Sequence, residues 1–239
     1  MKLNNLLLMS SDEVESFICS LIDISSPKTV GFLNQHGYNL MANDNDVYES
    51  FNGLDVLLRD GKGIELVCRY WGKDAGENLN GTDLIPQIVN KCLNSNKDFS
   101  YFVYGTASPW LELGTKNMFG ENDVKVLDGF MDESQYISHF DSHHSVSKYK
   151  LVILAMGMPK QEKVARLIKA TASGPTLIIC GGAIIDFQAN RFNRSPLIFR
   201  KLGFEWLYRL IIEPRRMFKR YVIGIPVFFS NVVKKKITF

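Results

Sequence analysis

Residues 151–167 read LVILAMGMPKQEKVARL. A run of apolar, mostly branched residues ends at Gly157, Pro159 suits the first turn of a helix, and the residues after it repeat at helical spacing. A buried strand that feeds a helix through a glycine turn is half of a βαβ unit, so this stretch decides the fold class. It also sets exposed helix N-terminal amides beside Gln161 and Glu162, an arrangement that favours an anion. On these residues alone, a phosphate site and a plain tight turn are equal readings.

The same alternation recurs on both sides of it. TVGFLN (29–34) precedes the helical stretch YNLMANDNDVYESF (38–51), and DFSYFVYG (98–105) precedes SPWLELGTKNMF (108–119). NDVKVL (122–127) and PTLIICGG (175–182) read as two further strands. The first 190 residues are therefore expected to form a Rossmann-like α/β core, a mostly parallel sheet flanked by helices. In such sheets ligands sit beyond the carboxyl ends of the strands. The glycine turns there are Asp60-Gly61-Lys62-Gly63, Gly105-Thr106, Asp128-Gly129-Phe130, Gly157-Met158-Pro159 and Gly181-Gly182. In ICGGAIIDF (179–187), Gly182 allows close backbone approach and Asp186 can accept hydrogen bonds from a sugar or base.

A chain of 239 residues, 46% hydrophobic and 22% charged, fits one large domain or one domain with an appendage, and disorder is excluded. The longest strongly apolar run, Tyr221 to Phe229, is short of the roughly 18 residues that span a bilayer and contains Pro226. The LLLM near the start is too brief for a signal peptide, so a cytoplasmic location is expected. Cys19, Cys68, Cys92 and Cys180 are scattered and read as inert thiols. His139, His143 and His144 read as a solvated helix end rather than a metal site.

Charge divides the chain. Residues 191–239 hold 12 Lys or Arg against Glu205 and Glu213, a net of +10, while residues 1–190 hold 16 against 23, a net of −7. Aromatic residues interleave with the basic ones, so residues 191–239 read as a basic amphipathic helical appendage for an anionic membrane surface, removable from a folded core; the structural alternative is a basic helical hairpin that packs on its own domain and covers its apolar surface. Nucleic acid also suits such a charge, but no nucleic-acid motif is present in the body.

The motifs for dinucleotides, P-loops, serine hydrolases and zinc proteases are missing. Asp44-Asn45-Asp46 has the letters of a metal-binding DxD but lies in a helical stretch and reads as a solvated helix surface.

MGMPKQE (156–162), GGAIIDF (181–187), RFNRSP (191–196) and LGFEWLYRLIIEPRRMFKRY (202–221), with DGKGIE (60–65) and NGTDL (80–84) upstream, together resemble the WecG/TagA/CpsF family, glycosyltransferase family 26. The resemblance implies an inverting transfer from a UDP-sugar to a polyprenyl-diphosphate-linked sugar in surface-polysaccharide synthesis. It further implies work at the inner face of the bacterial cytoplasmic membrane, no cofactor and no metal. Asp60 falls on the family's base, Asn34 on its partner, and Gln161 on a residue that positions donor or acceptor. Gly105, Thr106, Gly129, Phe130, Gly157, Pro159, Gly182 and Asp186 are expected around the nucleotide-sugar. Arg209, Arg215, Arg216 and Arg220 are expected to meet the lipid diphosphate and the membrane. Self-association is compatible with the sequence.

The chain departs from the family pattern at Phe32, where threonine is usual, and at Asn78, where arginine is usual. Diphosphate charge is then expected to fall to Lys62, helix N-termini or tail arginines. These departures motivate an alternative reading, a catalytically impaired nucleotide-sugar-binding protein of the same fold.

Overall fold

The computed structural model describes residues 1–143 and 149–239, apart from the side chains of Lys201 and Arg216. β1 (Leu6–Leu7) and α1 (Val14–Ile22) lead to β2 (Lys28–Leu33), α2 (Gln35–Asn43) and α3 (Asn45–Asn52). β3 (Val56–Arg59), α4 (Lys62–Tyr70) and α5 (Gly81–Leu93) follow. Next come β4 (Phe99–Gly105), α6 (Trp110–Phe119), β5 (Val124–Leu127), α7 (Glu133–Ser142), β6 (Tyr149–Ala155) and α8 (Lys160–Thr171). β7 (Thr176–Cys180) and α9 (Ile184–Gln188) close the sheet, and α10 (Leu197–Leu202), α11 (Glu205–Ile212) and α12 (Pro214–Phe218) begin the basic segment. A π-helical turn at Lys219–Ile223 joins α12 to α13 (Gly224–Val233).

Among the described residues the seven strands are all parallel, in the order β1-β3-β2-β7-β6-β4-β5. The α/β class expected from the alternation is the class observed. β6 and β7 are apolar almost throughout because both sheet faces are covered. Leu33, Tyr38, Met41, Val152, Val164 and Ile178 belong to the cluster on one face; Leu58, Ile85, Val103, Leu111, Ile153 and Ile185 belong to the other.

The topology fixes where a ligand fits. From β4 the chain moves outward to β5, and from β6 it moves the opposite way to β7, so the direction of winding reverses between these neighbours. Accordingly α6 packs Leu111 and Phe119 on one face while α8 packs Val164, Ala165 and Ile168 on the other. The carboxyl ends of β4 and β6 thus flank an open crevice.

The helical reading of residues 38–51 is interrupted once. Asp44 takes an extended conformation, and its Oδ1 accepts the amides of Asp46 and Val47 as the cap of α3. It ends α2 and starts α3, a more specific task than lying on a solvated surface.

The basic segment is not uniform. α10 and α11 expose Leu197, Ile198, Leu202, Ile211 and Ile212, each about 60% accessible. By contrast Phe228, Val232 and Ile237 lie inside the first core cluster, with Phe228 edge-on to Tyr38 at 5.1 Å. The Tyr38 hydroxyl donates to the Ile237 carbonyl at 2.8 Å, Asn39 Nδ2 donates to the Gly224 carbonyl at 2.7 Å, and the Leu3 amide donates to the Thr238 carbonyl at 2.8 Å. The charge shift at residue 190 therefore does not coincide with an edge of the packing: α13 and the residues after it pack as the structural alternative for this segment expects.

Candidate active site

Asp60 stands just beyond β3, and its amide donates to the Leu33 carbonyl at the end of neighbouring β2. Asn34, the next residue after β2, caps α2 by accepting the amides of His36 and Gly37 at 3.1 Å. Its remaining amide group donates to Asp60 Oδ2 at 3.2 Å. One side chain thus starts a helix and orients the carboxylate across the strand pair.

Burial pushes the Asp60 carboxyl above the usual range, against the Asn34 hydrogen bond and the charges of Arg209 and Arg220, while Glu205 adds to the upward push. A carboxylate so placed is a stronger base than a solvated one. Arg209 pairs with Glu205 at 2.9 Å and stacks its guanidinium 5.2 Å from the Phe187 ring centroid. Arg220 also lies close enough to help depress the pKa of His36 to about 4, where burial is the larger cause. The charges of Arg209 and Arg220 are therefore both felt at the carboxylate. Arg215 is exposed on α12, and the Arg216 side chain lies outside the described residues.

The two departures at Phe32 and Asn78 have structural uses. Phe32 is buried in the second core cluster, against Gly81 at the start of α5. Asn78 Oδ1 accepts the Gly61 amide at 2.7 Å and so holds the turn that carries Asp60. Lys62, a candidate for the diphosphate charge, pairs with Glu65 at 2.6 Å and keeps its side chain about half exposed.

The second half of the site is the crevice between β4 and β6. Gly105 has φ +158°, and a Cβ there would lie 2.0 Å from the Ala155 carbonyl oxygen, so no larger residue fits. Thr106 has φ +43°, uncommon for a residue with a Cβ, and its hydroxyl donates to Asp186 Oδ1 at 2.6 Å. Backbone strain of this kind is typically found at ligand sites. The Gly129 amide donates to the Thr106 carbonyl at 2.7 Å, and Phe130 beside it is 82% exposed. Gly157 is open to solvent ahead of Pro159, the cap of α8.

Arg191 completes this cradle and is a residue that the sequence reading passed over. Its Nη1 donates to Asp186 Oδ1 at 3.0 Å and to the Thr106 hydroxyl at 3.2 Å, and its guanidinium lies 5.3 Å from the Phe192 ring and 5.7 Å from Trp110. The available signal was an arginine five residues after Asp186, next to an aromatic residue.

Gln161 does not face open space. It is buried; its Oε1 accepts the Gly182 amide at 2.9 Å and its Nε2 donates to Glu162 Oε1 at 2.7 Å. It ties the β6–α8 turn to the β7–α9 turn through a direct hydrogen bond. Glu162 is fully buried, its Oε2 has no partner, and burial raises its pKa to about 7 against the Gln161 hydrogen bond. Because the folded state holds this proton to higher pH than the unfolded chain, stability falls as pH rises from about 4.5 to about 7. Glu162→Gln should flatten that slope, as thermal melts of both proteins across pH 4.5–8 would show; an unchanged slope excludes Glu162 as its source.

His139 Nδ1 lies 3.0 Å from the Tyr104 hydroxyl, and its ring is 4.2 Å from that of His143. Burial, then the His143 charge, lowers its pKa. His144 lies outside the described residues. All four cysteines are free thiols, three of them buried.

A protein-family model described as "Glycosyl transferase WecG/TagA/CpsF family" matches residues 4–239. An N-acetylglucosaminyldiphosphoundecaprenol N-acetyl-beta-D-mannosaminyltransferase of Bacillus spizizenii (strain ATCC 23059 / NRRL B-14472 / W23) is 26% identical over 203 residues, covering 83% of this chain and 75% of that protein. The protein of the same name from Bacillus subtilis (strain 168) is 23% identical over 197 residues, covering 81% of this chain and 74% of that protein.

Proposed function

This chain belongs to the WecG/TagA/CpsF family of glycosyl transferases, and from that premise we propose that it moves an N-acetylmannosamine-type sugar from a UDP-sugar to a polyprenyl-diphosphate-linked N-acetylglucosamine. The names of the two Bacillus relatives support the sugar and the acceptor. The observation that carries the reading is the pairing of Asp60 with Asn34 at the carboxyl edge, beside the Thr106, Asp186 and Arg191 cradle of the same edge.

In this reaction Asp60 takes the proton of the acceptor hydroxyl as that oxygen bonds to the anomeric carbon. The bond from that carbon to the UDP oxygen breaks with its electron pair, and the configuration inverts. Amides at the starts of α6 and α8, together with Arg209 and Arg220, supply positive charge for the diphosphates. The retained Asp60 and Asn34 favour this reading over a catalytically impaired binding protein.

No metal step is invoked. Asp44 and Asp46 are separated from the carboxyl edge by the length of α2, about 13 Å of helix, and Asp44 is engaged as a cap. The exposed apolar residues of α10 and α11, set among basic side chains, support peripheral binding to the anionic inner face of the cytoplasmic membrane. No helix among the described residues is long and apolar enough to cross a membrane.

The test is UDP release from UDP-N-acetylmannosamine in the presence of the lipid-linked acceptor, with and without EDTA. Transfer should depend on the acceptor and survive chelation. UDP-sugar binding with no transfer would favour the impaired-protein reading, and loss of activity in EDTA reversed by manganese would require a metal.

A further inference from the structure

Beside the catalytic edge runs a groove that the proposed chemistry has not used. It lies between α4 and α13 and is lined by Leu66, Val67, Tyr70, Phe229, Val232 and Val233. Its walls are apolar, yet Leu66, Tyr70, Phe229 and Val233 are 41%, 63%, 44% and 67% accessible. Such a lining calls for an apolar occupant.

The groove begins at the site. α4 starts at Lys62, two residues after Asp60, and its first turn is flanked by Phe228 of α13 beside Gly63 and by Gly203 of the α10–α11 turn beside Lys62. Along a helix rising 1.5 Å per residue, Leu66 stands about 6 Å and Tyr70 about 12 Å beyond Lys62, the first residue of α4. Basic groups outnumber acidic ones at the near end, where Lys62 and Arg69 share Glu65 and the charges of Arg209, paired with Glu205, and of Arg220 are felt at Asp60; the apolar lining follows. A molecule matching that order has a reacting sugar, then a diphosphate, then a linear hydrocarbon.

We infer that the α4–α13 groove binds the isoprenoid chain of the acceptor next to its diphosphate. This rests on the lipid-linked acceptor proposed above. A groove between two helices takes a single linear chain, whereas the leaflet itself is met by projecting side chains such as Leu197, Ile198 and Ile211. The groove would draw one lipid out of the bilayer far enough for its sugar to reach Asp60.

The test uses N-acetylglucosamine diphosphate carried on one, two or three isoprene units, assayed without vesicles and below micelle formation. KM should fall roughly tenfold or more from the shortest to the longest acceptor, because added CH₂ groups leave water. In Leu66→Asn and in Val233→Asn, which alter opposite walls at exposed positions, that dependence should shrink to about twofold or less. Equal KM for all three acceptors in the unaltered protein overturns the groove while leaving the transferase reading intact. Absence of transfer to every acceptor overturns the transferase reading itself. A length dependence that survives both substitutions, or a dimer in solution that Val233→Asn dissociates, also overturns the inference.

Discussion

Asp60→Asn is expected to lower turnover by about 10²-fold or more while donor affinity stays within about twofold. The asparagine keeps the size of the side chain and can still bond to Asn34, but it cannot take a proton from the acceptor hydroxyl. The donor cradle is carried by different strands, with Thr106 after β4 and Asp186 in α9, so UDP-sugar binding should be nearly untouched. A pH–rate profile adds a second readout. Burial raises the Asp60 pKa, so the acid limb of kcat/KM should lie above that of a solvated aspartate and vanish in the variant. Turnover equal to that of the unaltered protein would remove Asp60 from the mechanism.

Removal of residues 221–239 is expected to abolish the native fold rather than release a soluble core. Phe228, Val232 and Ile237 are almost wholly buried, and burying such side chains contributes about 1.5–3 kcal/mol each. The truncation would also leave Tyr38 and Asn39 without the carbonyls of Ile237 and Gly224, at about 1–3 kcal/mol for each unsatisfied group. The loss approaches the whole stability of about 5–15 kcal/mol expected of a domain. Circular dichroism and a thermal melt should show no cooperative transition. By contrast, Ile198→Ser and Ile211→Ser change exposed side chains on α10 and α11 and should leave the melting temperature within a few degrees, while weakening flotation with anionic vesicles. A truncated chain that melts like the full protein would show that α13 is an accessory.

These two predictions separate functions that one charged segment had appeared to share. Lys and Arg are distributed through residues 191–239, so composition alone reads that stretch as one basic module. The structure divides it by burial: α10 and α11 carry exposed apolar residues, whereas α13 and the residues after it fill a gap beside α2 and the N-terminal segment. Hydropathy does not distinguish a membrane-facing apolar side chain from a core one, because both patterns need the same residues.

The carboxyl edge of the sheet was legible for a definite reason. Glycine turns after β-rich runs mark strand ends, and parallel strands put those ends on one side, so Asp60, Gly105, Gly129 and Gly182 could be assigned to one edge from local sequence. Asn34 was legible only as a partner of Asp60; that it also caps α2 follows from its place between β2 and α2. Gln161 and Glu162 were placed beside the exposed amides that open a helix, and the family resemblance gave Gln161 a part in positioning donor or acceptor. The packing of α8 instead turns both inward, where Gln161 binds the Gly182 amide.

The sequence by itself determined the α/β class and the glycine turns, because strand and helix periodicity and turn chemistry are local properties of the chain; the role of Asp60 as a base was implied only by the family resemblance and stands as a proposal. Only the tertiary structure decided that the charges of Arg209 and Arg220 are felt at Asp60, that Arg191 closes on Thr106 and Asp186, and that α13 joins the core. These contacts span from five to about two hundred residues of chain. The long-range ones depend on which apolar faces find each other when the chain closes, which no single stretch of sequence specifies.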